Sequence, residues 1–316
     1  MAQILDTSAK FHSSKKSSPA FEPLVVHVDT DLSHTANQSD TPAQRILSKY
    51  RERFPNVSFE SVHLSRIWTV RTLDWSTLAG FQAGNQEGIS EVDRLKNFFR
   101  TLPSMTAKAD VLRLFVRHIL LDLALERSYT ALLLGHSTTA LAALAMAEVA
   151  NGRGFAVPGQ INDGSFAVCR YGFGTDPSKS REISETQMPL YYPLREVFKS
   201  ELLTYLDLMP SVKELMPEDN SPTGHFVSHK DLSITEVMER YFDSVEGPYS
   251  GIVANVVRTT GKLDRATSGG FCHMCGMTLD ELGDSRWAGE LGEDADKLDT
   301  SQSARLCYGC KRIMHG

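Results

Sequence analysis

The sequence predicts an α/β fold: a doubly wound, mostly parallel sheet followed by a small cysteine-rich module at the C-terminal end. Short apolar runs alternate with longer segments of helical periodicity, a pattern typical of parallel strands with helices on both faces. Four of the five cysteines in the 316 residues lie in two Cys-x-x-Cys pairs near the end of the chain. We therefore expect a flexible segment over residues 1–20, an α/β domain over 21–265 and a cysteine module with an acidic insert over 266–316.

The elements follow in order from local patterns. Residues 9–22 are polar and rich in serine and lysine, which is typical of a loop. Thr41 and Pro42 open a helical pattern as an N-cap and first helical residue. Predicted strands are 23–28, 57–64, 130–134, 165–169 and 251–257. Predicted helices are 41–54, 90–100, 106–127, 137–149, 194–206 and 234–242. In such sheets, ligands bind at the carboxyl ends of strands, here residues 29–31 and 135–139.

The four paired cysteines predict a metal site. Cys272 and Cys275 form one pair, and Cys307 and Cys310 form the other. A two-residue gap lets both thiolates of a pair turn towards one ion, and four thiolates close a tetrahedral zinc site of the zinc-ribbon kind. We expect structural zinc, since no position stays open for catalysis. An iron–sulfur cluster, two disulfides and four free thiols are the alternatives.

Composition and charge restrict the function less than the cysteines do. No apolar run approaches the roughly 20 residues of a membrane span, and the first residues lack the apolar core of a signal peptide. We expect a cytoplasmic protein with reduced thiols and no membrane partner. The net charge is −6, but residues 276–299 contain eight acidic and two basic side chains and account for all of it. Net charge therefore excludes no nucleic-acid partner, because phosphate contacts act locally.

Several segments, in order, resemble the cytoplasmic tRNA 2-thiolation protein 2 family. They are residues 25–29, 104–110, 133–140, 151–154 and 189–196, followed by the paired cysteines. The resemblance implies a PP-loop ATP-pyrophosphatase fold, also called adenine nucleotide alpha hydrolase-like. It implies a homologous catalytic partner that 2-thiolates the wobble uridine of tRNAs, and a ubiquitin-related protein that carries the sulfur.

The chain departs from active relatives where they bind nucleotide. PP-loop enzymes hold pyrophosphate in a Ser-Gly-Gly-type loop after the first strand, where backbone N–H groups meet the phosphates. This sequence has no such loop, so we expect the family's N-terminal part to be missing and no ATP site in this chain. Active relatives also carry Gly-His-Asn and two aspartates where residues 135–140 read Gly-His-Ser-Thr-Thr-Ala. Because Mg²⁺ prefers carboxylates, we expect His136 to pack or hydrogen-bond at a strand end in preference to acting as a catalyst.

The sequence also lacks the cysteines that sulfur transfer would use. Thiolating homologues carry a cysteine before the long helix and another before the proline that corresponds to Pro193. Here residues 97–110 contain no cysteine, and Tyr191 and Tyr192 precede the proline. Persulfide chemistry needs a thiolate. Cys169 is expected to be a small buried residue, with an auxiliary thiol as the alternative. We therefore predict no catalytic and no cofactor-binding residue.

Basic and aromatic side chains provide candidate RNA contacts. The basic candidates are Arg195, Lys199, Lys311 and Arg312. The first two are four residues apart in a predicted helix and could reach one phosphate; ion pairs with nearby acids, such as Glu196, are an equal alternative. Tyr308 is expected to pack in the module against Met314 or Ile313, with stacking on an unpaired base as the alternative.

Three functions follow from these observations. We favour a non-catalytic subunit of a tRNA wobble-uridine thiolation complex, which scaffolds the active PP-loop partner and contributes to tRNA binding. The alternatives are an adenylating tRNA sulfurtransferase active in its own right, and a stand-alone zinc-ribbon binding module.

Overall fold

The computed structural model describes residues 1–14, 22–35, 38, 40–75, 88–172, 183–216, 232–263, 270–279 and 306–315. They belong to two compact units. One contains Met1–Ile67 and Glu201–Phe226, and the other contains Trp68–Ser200 and Val227–Gly316. Residues 15–21 of the loop predicted at 9–22 lie outside the described residues. The acidic insert between the cysteine pairs also lies outside them, from residue 280 onward. None of the described helices is long and apolar enough to cross a membrane.

The first unit contains two parallel strands with a crossover helix. Its elements are α1 (Ala2–Ser14), β1 (Leu24–Asp29), α2 (Pro42–Arg53), β2 (Ser58–His63) and a 3₁₀ helix (Leu64–Thr69) that runs into the second unit. The register of β1 and β2 runs from Leu24 opposite Ser58 to Asp29 opposite His63. Apolar side chains of α2, β2 and Leu215 form the core of this unit. Asp29 and His63 therefore end neighbouring strands at one edge of the sheet.

The second unit contains a three-stranded sheet and the longest helices. Its elements include α3 (Glu91–Thr101), α4 (Met105–Glu126), β3 (Leu132–Leu133), α5 (Thr138–Ala150), α6 (Val157–Ile161), β4 (Gly164–Tyr171), β5 (Ile183–Tyr191), α9 (Ile234–Thr260) and α10 (Tyr308–His315). A 3₁₀ turn (Gly154–Ala156) precedes α6. Helices α7 (Lys199–Leu208) and α8 (Pro210–Lys213) follow β5 along the chain, and from Glu201 onward they belong to the first unit. The strand order is β3-β5-β4, with β3 parallel and β4 antiparallel to β5.

Serine and threonine caps fix where five helices begin. In each case the side-chain oxygen accepts a hydrogen bond from the backbone N–H three residues later, which satisfies one of the free donors of the first turn. The caps are Thr41, Ser90, Ser104, Ser137 and Ser233, before α2, α3, α4, α5 and α9. The predicted starts of these helices are within one residue of the observed ones because these short polar side chains are readable in sequence.

The predicted strand at 251–257 is wrong, because these residues belong to helix α9. Val253 and Val257 are four residues apart and fully or nearly fully buried, in one core cluster with Leu141 and Leu144 of α5. Burial on one helical face outweighs the strand preference of the β-branched side chains. Helix α9 kinks at Tyr249, after Pro248, whose ring prevents a regular helical bond.

Other differences are smaller. The predicted α/β class is confirmed, but the described strands form sheets of two and three strands, and one pairing is antiparallel. Residues 9–14, predicted to be a loop, continue helix α1. Strand β5 was not predicted, and the helix expected from residue 194 begins at Lys199. Arg195 therefore lies in the turn before α7, so it does not share a helical face with Lys199.

Candidate metal centre

The first cysteine pair lies in a tight hairpin. A backbone bridge joins Phe271 to Thr278, and inside it the Cys272 N–H donates to the Met277 carbonyl at 2.9 Å. The Gly276 N–H donates back to the Cys272 carbonyl at 2.9 Å. Gly276 has φ of +70°, a conformation that favours glycine. This turn brings the side chains of Cys272 and Cys275 to one side of the hairpin.

The structure brings the four predicted ligands together. The Sγ atoms of Cys272, Cys275, Cys307 and Cys310 all lie within 4.8 Å of one another and are buried. The Sγ atoms of Cys275 and Cys307 are 3.9 Å apart, close to the edge of about 3.8 Å that a tetrahedral site with Zn–S bonds of about 2.3 Å requires. All are free thiols in this structure. Four cysteines in this arrangement could hold one metal ion.

Hydrogen bonds within the cluster favour ionisation of one sulfur, that of Cys272. Burial alone would raise the pKa of Cys272, but hydrogen bonds from the other three thiols hold that pKa well below its ordinary value. The pKa values of Cys275 and Cys310 are raised, chiefly by their hydrogen bonds to Cys272. The Cys307 N–H also points at Cys272 Sγ, at 3.3 Å. Backbone donors to sulfur are the contacts that a buried thiolate needs.

The second cysteine pair lies directly on the Asn151-Gly-Arg-Gly154 segment that follows helix α5. A Cβ atom on Gly309 would come within 2.4 Å of the Asn151 carbonyl oxygen and 2.6 Å of Arg153 Cγ. A Cβ on Gly152, whose φ is +77°, would come within 2.5 Å of the Tyr308 ring. Two glycines thus permit the close approach of helix α10 to this segment. The Tyr308 ring lies against Gly152, and its packing against Met314 or Ile313 stays a prediction.

A buried ion network holds the guanidinium of Arg153. Its side chain donates to Glu148 at 3.0 and 2.9 Å and to Asp110 at 2.5 Å. Arg113 contacts the same two carboxylates, at 2.5 Å for Glu148 and 3.1 Å for Asp110. Arg153 and Glu148 are completely buried. Breaking such a network by removing one partner leaves an uncompensated buried charge.

Residues 135–139, which lead from β3 into the first turn of α5, are engaged in packing contacts. Thr138 Oγ1 donates to the Arg195 carbonyl at 2.6 Å. Thr139 Oγ1 donates to Glu246 and accepts from the Lys199 N–H at 3.0 Å. The two hydroxyls thus hold the segment that leads into α7.

His136 behaves as the packing residue that was predicted. Its ring lies edge-on to Tyr192, with ring centres 5.6 Å apart. Burial, and then the charges of Arg117 and Arg113, lower its pKa to about 4. Its Nδ1 meets no hydrogen-bond partner among the described residues. At neutral pH the ring is therefore uncharged.

The strand-end residues of the first unit form a separate hydrogen-bonded group. His34 Nε2 lies 2.8 Å from Asp29 Oδ2, and Asp29 Oδ1 accepts from the Asp31 N–H at 3.1 Å. His63 Nε2 contacts the Asp31 carbonyl at 3.2 Å, and its ring lies 5.6 Å from that of His34. These contacts all lie within the first unit, and both Asp29 carboxylate oxygens already have partners.

The four candidate RNA contacts differ in their surroundings. Lys199 Nζ forms an ion pair with Asp243 at 2.6 Å. Arg195 lies 3.6 Å from both Asp163 and Glu196. Lys311 and Arg312 are adjacent and exposed on helix α10, directly after Cys310. Lys199, Lys311 and Arg312 are thus exposed, whereas Arg195 is half-buried.

Sequence reasoning missed the residues that support the centre: Asp110, His118, Glu148 and Arg153. A usable signal was present. Glu148 is the one charged side chain in helix α5, which is otherwise apolar or small. An acid placed in such a helix requires a buried partner. Asp110 and Arg113 lie one helical turn apart on α4 and supply part of that partnership.

Comparisons with known proteins agree with the resemblance seen in the sequence. A profile of the family Cytoplasmic tRNA 2-thiolation protein 2 matches residues 233–297. The protein of that name from Phaeosphaeria nodorum is 34% identical over 320 residues, covering 99% of this chain and 77% of the relative. That from Pyrenophora tritici-repentis is 28% identical, over 99% of this chain and 77% of the relative.

One solved structure is also similar. It is the U34-tRNA thiolase NcsA from Methanococcus maripaludis with its 4Fe-4S cluster, at 13% identity and a TM-score of 0.47, covering 89% of this chain and 79% of that chain. The assignment itself follows from the sequence relatives, one of which is 34% identical over nearly the whole chain. This chain belongs to the cytoplasmic tRNA 2-thiolation protein 2 family.

Proposed function

We propose that this chain is a non-catalytic subunit of a cytoplasmic complex that 2-thiolates the wobble uridine, position 34, of tRNAs. It scaffolds a homologous, catalytic PP-loop partner and contributes to tRNA binding, and a ubiquitin-related carrier supplies the sulfur. The observation that carries the proposal is the placement of the cysteines: four of five are gathered in one buried cluster. The names of the relatives support the pathway.

Cys169 is a poor nucleophile for sulfur transfer. It is 3% exposed on β4, and burial raises the pKa of its thiol. A thiol held protonated at neutral pH lacks the thiolate that attacks a persulfide or a disulfide. With the other four sulfurs committed to the cluster, the chain offers no accessible thiolate, which favours a supporting role beside a catalytic partner.

The strand-end loop gives a second line of support. The hydroxyls of Thr138 and Thr139 hold the segment before α7, and His136 is an uncharged packing residue. Neither hydroxyl brings the negative charge with which carboxylates bind Mg²⁺. A nucleotide with its ion has less to bind here than in a catalytic relative.

For the cluster we propose structural zinc, held by Cys272, Cys275, Cys307 and Cys310. Four thiolates complete the tetrahedron, so the ion would join the two segments and would leave no position for a reacting water. We expect about one zinc per chain in anaerobically purified protein. Cys275→Ser and Cys310→Ser should each release it. Visible absorption and iron content would instead identify an iron–sulfur cluster, and zinc-free, iron-free protein would contradict any metal role.

The functional proposal is tested by purifying the chain alone and with its homologous PP-loop partner. Alone, it should release no AMP from ATP; together, the two should co-purify with tRNA and form 2-thiouridine when a sulfur donor is supplied. ATP-dependent AMP release by the chain alone, abolished by changing Asp29 or His136, would support an active sulfurtransferase. If neither the partner nor tRNA co-purifies, a stand-alone zinc-ribbon binding module becomes the better explanation.

A further inference from the structure

Arg153 contacts both the buried carboxylates and the start of helix α10, which carries the second cysteine pair. Gly309 approaches it so closely that a Cβ atom there would lie 2.6 Å from Arg153 Cγ. The next residue, Cys310, is a predicted metal ligand and is 0% exposed, as is Arg153 itself. The Arg153 side chain therefore packs, in the protein interior, against the backbone directly before Cys310.

The donors of this guanidinium are not all used by the carboxylates. Nε and Nη2 donate to Glu148, and Nη2 also donates to Asp110. Nη1 is buried and meets no hydrogen-bond acceptor among the described residues. Burial opposes the charge of Arg153, but Glu148, then Asp110 and Cys310, favour it, and the pKa of Arg153 lies above its ordinary value. Arg153 is thus positively charged, and its Nη1 has no hydrogen-bond acceptor among the described residues.

The charge of a filled centre would be opposite to that of Arg153. Four thiolates around one divalent ion carry a net charge of minus two, and a buried charge is costly without a compensating one. Four neutral thiols or two disulfides would carry no charge, so the cysteines would offer the Arg153 cation no opposite charge. The quartet of Asp110, Arg113, Glu148 and Arg153 is neutral as a whole, and Cys310 is among the groups whose charge favours the cation of Arg153.

We propose that Arg153 is a positioning residue of the metal centre, supplying the buried positive charge that balances the tetrathiolate dianion and so setting the affinity for metal. It acts through Cys310 and does not bind the ion. The inference rests on the proposed metal site and adds to it a coupling between that site and helices α4 and α5. Asp110 and Glu148 keep the guanidinium in place, as outer-shell partners do in other metal sites.

The test compares two double variants of the full chain. Arg153→Met with Glu148→Gln removes the proposed countercharge and an acid that would otherwise be stranded. Arg113→Met with Glu148→Gln is the matched control, since Arg113 contacts the same carboxylates but is 24% exposed. Zinc affinity is measured by competition with a chromophoric chelator, and the thiolate-to-cobalt absorption of Co²⁺-loaded protein reports on the sulfurs.

We expect the Arg153 variant to bind zinc about 10- to 100-fold more weakly and to shift the cobalt band, with the control within about threefold of wild type. Equal losses in both variants would overturn the proposal, because they would report only weaker folding. Arg153→Lys keeps the charge and should recover most of the affinity; a folded lysine variant as weak as the methionine variant would also overturn it. Wild-type protein without metal would overturn the metal site together with this inference, whereas metal-loaded protein with unaffected variants would overturn this inference alone.

Discussion

His118 donates a hydrogen bond from Nε2 to the carbonyl oxygen of Met274, 2.9 Å away, between the two cysteines of the first pair. A carbonyl can only accept, so Nε2 carries the proton, and Nδ1 accepts from Thr72 Oγ1 at 2.9 Å. Burial lowers the pKa of His118 to about 4, which keeps the ring neutral. Helix α4 thereby fixes the backbone of a cysteine hairpin more than 150 residues away in sequence.

His118→Phe should loosen this hairpin. The phenyl ring fills a similar space but leaves the Met274 carbonyl without its donor, which costs about 1–3 kcal/mol of unfolding free energy. We expect a lower denaturation midpoint and faster amide hydrogen exchange in residues 270–279. Thr72→Val is the control: it removes the hydroxyl that faces Nδ1 and should have the smaller effect. Unchanged exchange in His118→Phe would show that the contact contributes little.

The low pKa of His136 predicts acid sensitivity. In the unfolded chain this histidine takes up a proton near its ordinary pKa of 6.5, but in the folded chain only near 4. Stability from this residue is therefore present above pH 6.5 and is lost as the pH falls from 6.5 towards 4. Since each pH unit in this window costs about 1.4 kcal/mol, the loss between neutral pH and about pH 5 is roughly 2 kcal/mol.

The measurement is urea unfolding of wild type and His136→Gln at several pH values. Carboxylates elsewhere titrate in both proteins, so only the difference between the two curves reports on position 136. We expect the variant to lose less stability than wild type on acidification. Parallel curves would mean that His136 titrates normally in the folded protein.

Gly309→Ala should separate the second cysteine pair from the body of its unit. The added methyl group meets the Asn151 carbonyl at 2.4 Å, a backbone atom that cannot swing away. We expect destabilisation of about 1–3 kcal/mol or more, as for other overpacked sites, with partial release of metal on purification. Gly251→Ala is the matched control, since nothing lies within 4 Å of its Cβ position in helix α9. That change should stabilise the helix by up to about 1 kcal/mol.

Much of the fold could be predicted because helix caps and apolar periodicity are local features of the sequence. Caps such as Ser104 and Ser137 and the periodicity that follows them mark α4 and α5 to within a residue. The prediction of a strand at 251–257 was wrong because the pattern of apolar residues there, including Val253 and Val257, suits both a strand and the buried face of a helix. The packing of these valines on α5 decides in favour of the helix, and α5 lies about 100 residues earlier in the sequence.

The same division holds for the metal centre. The four cysteines were identified from their spacing, since two residues between thiols already predict the geometry. Their supports were not, because the contacts of His118 with Met274 and of Arg153 with Glu148 depend on how α4, α5 and the hairpin pack. The exposed charges were the least predictable: whether Lys199 has an acid such as Asp243 beside it cannot be read from its neighbours in sequence.

The difference between Lys199 and the residues after Cys310 gives the last prediction. Lys311 and Arg312 are adjacent and exposed on α10, whereas Lys199 is held 2.6 Å from Asp243. Two adjacent cations on one helix attract a phosphate backbone more strongly than a single cation that is held by a carboxylate. Lys311→Glu with Arg312→Glu should therefore weaken tRNA binding by the complex and reduce the salt dependence by about two phosphate contacts. Lys199→Glu, the control on α7, should change both less. Equal effects of the two changes would mean that tRNA displaces Asp243 from Lys199, and wild-type binding in both would exclude these residues from the interface.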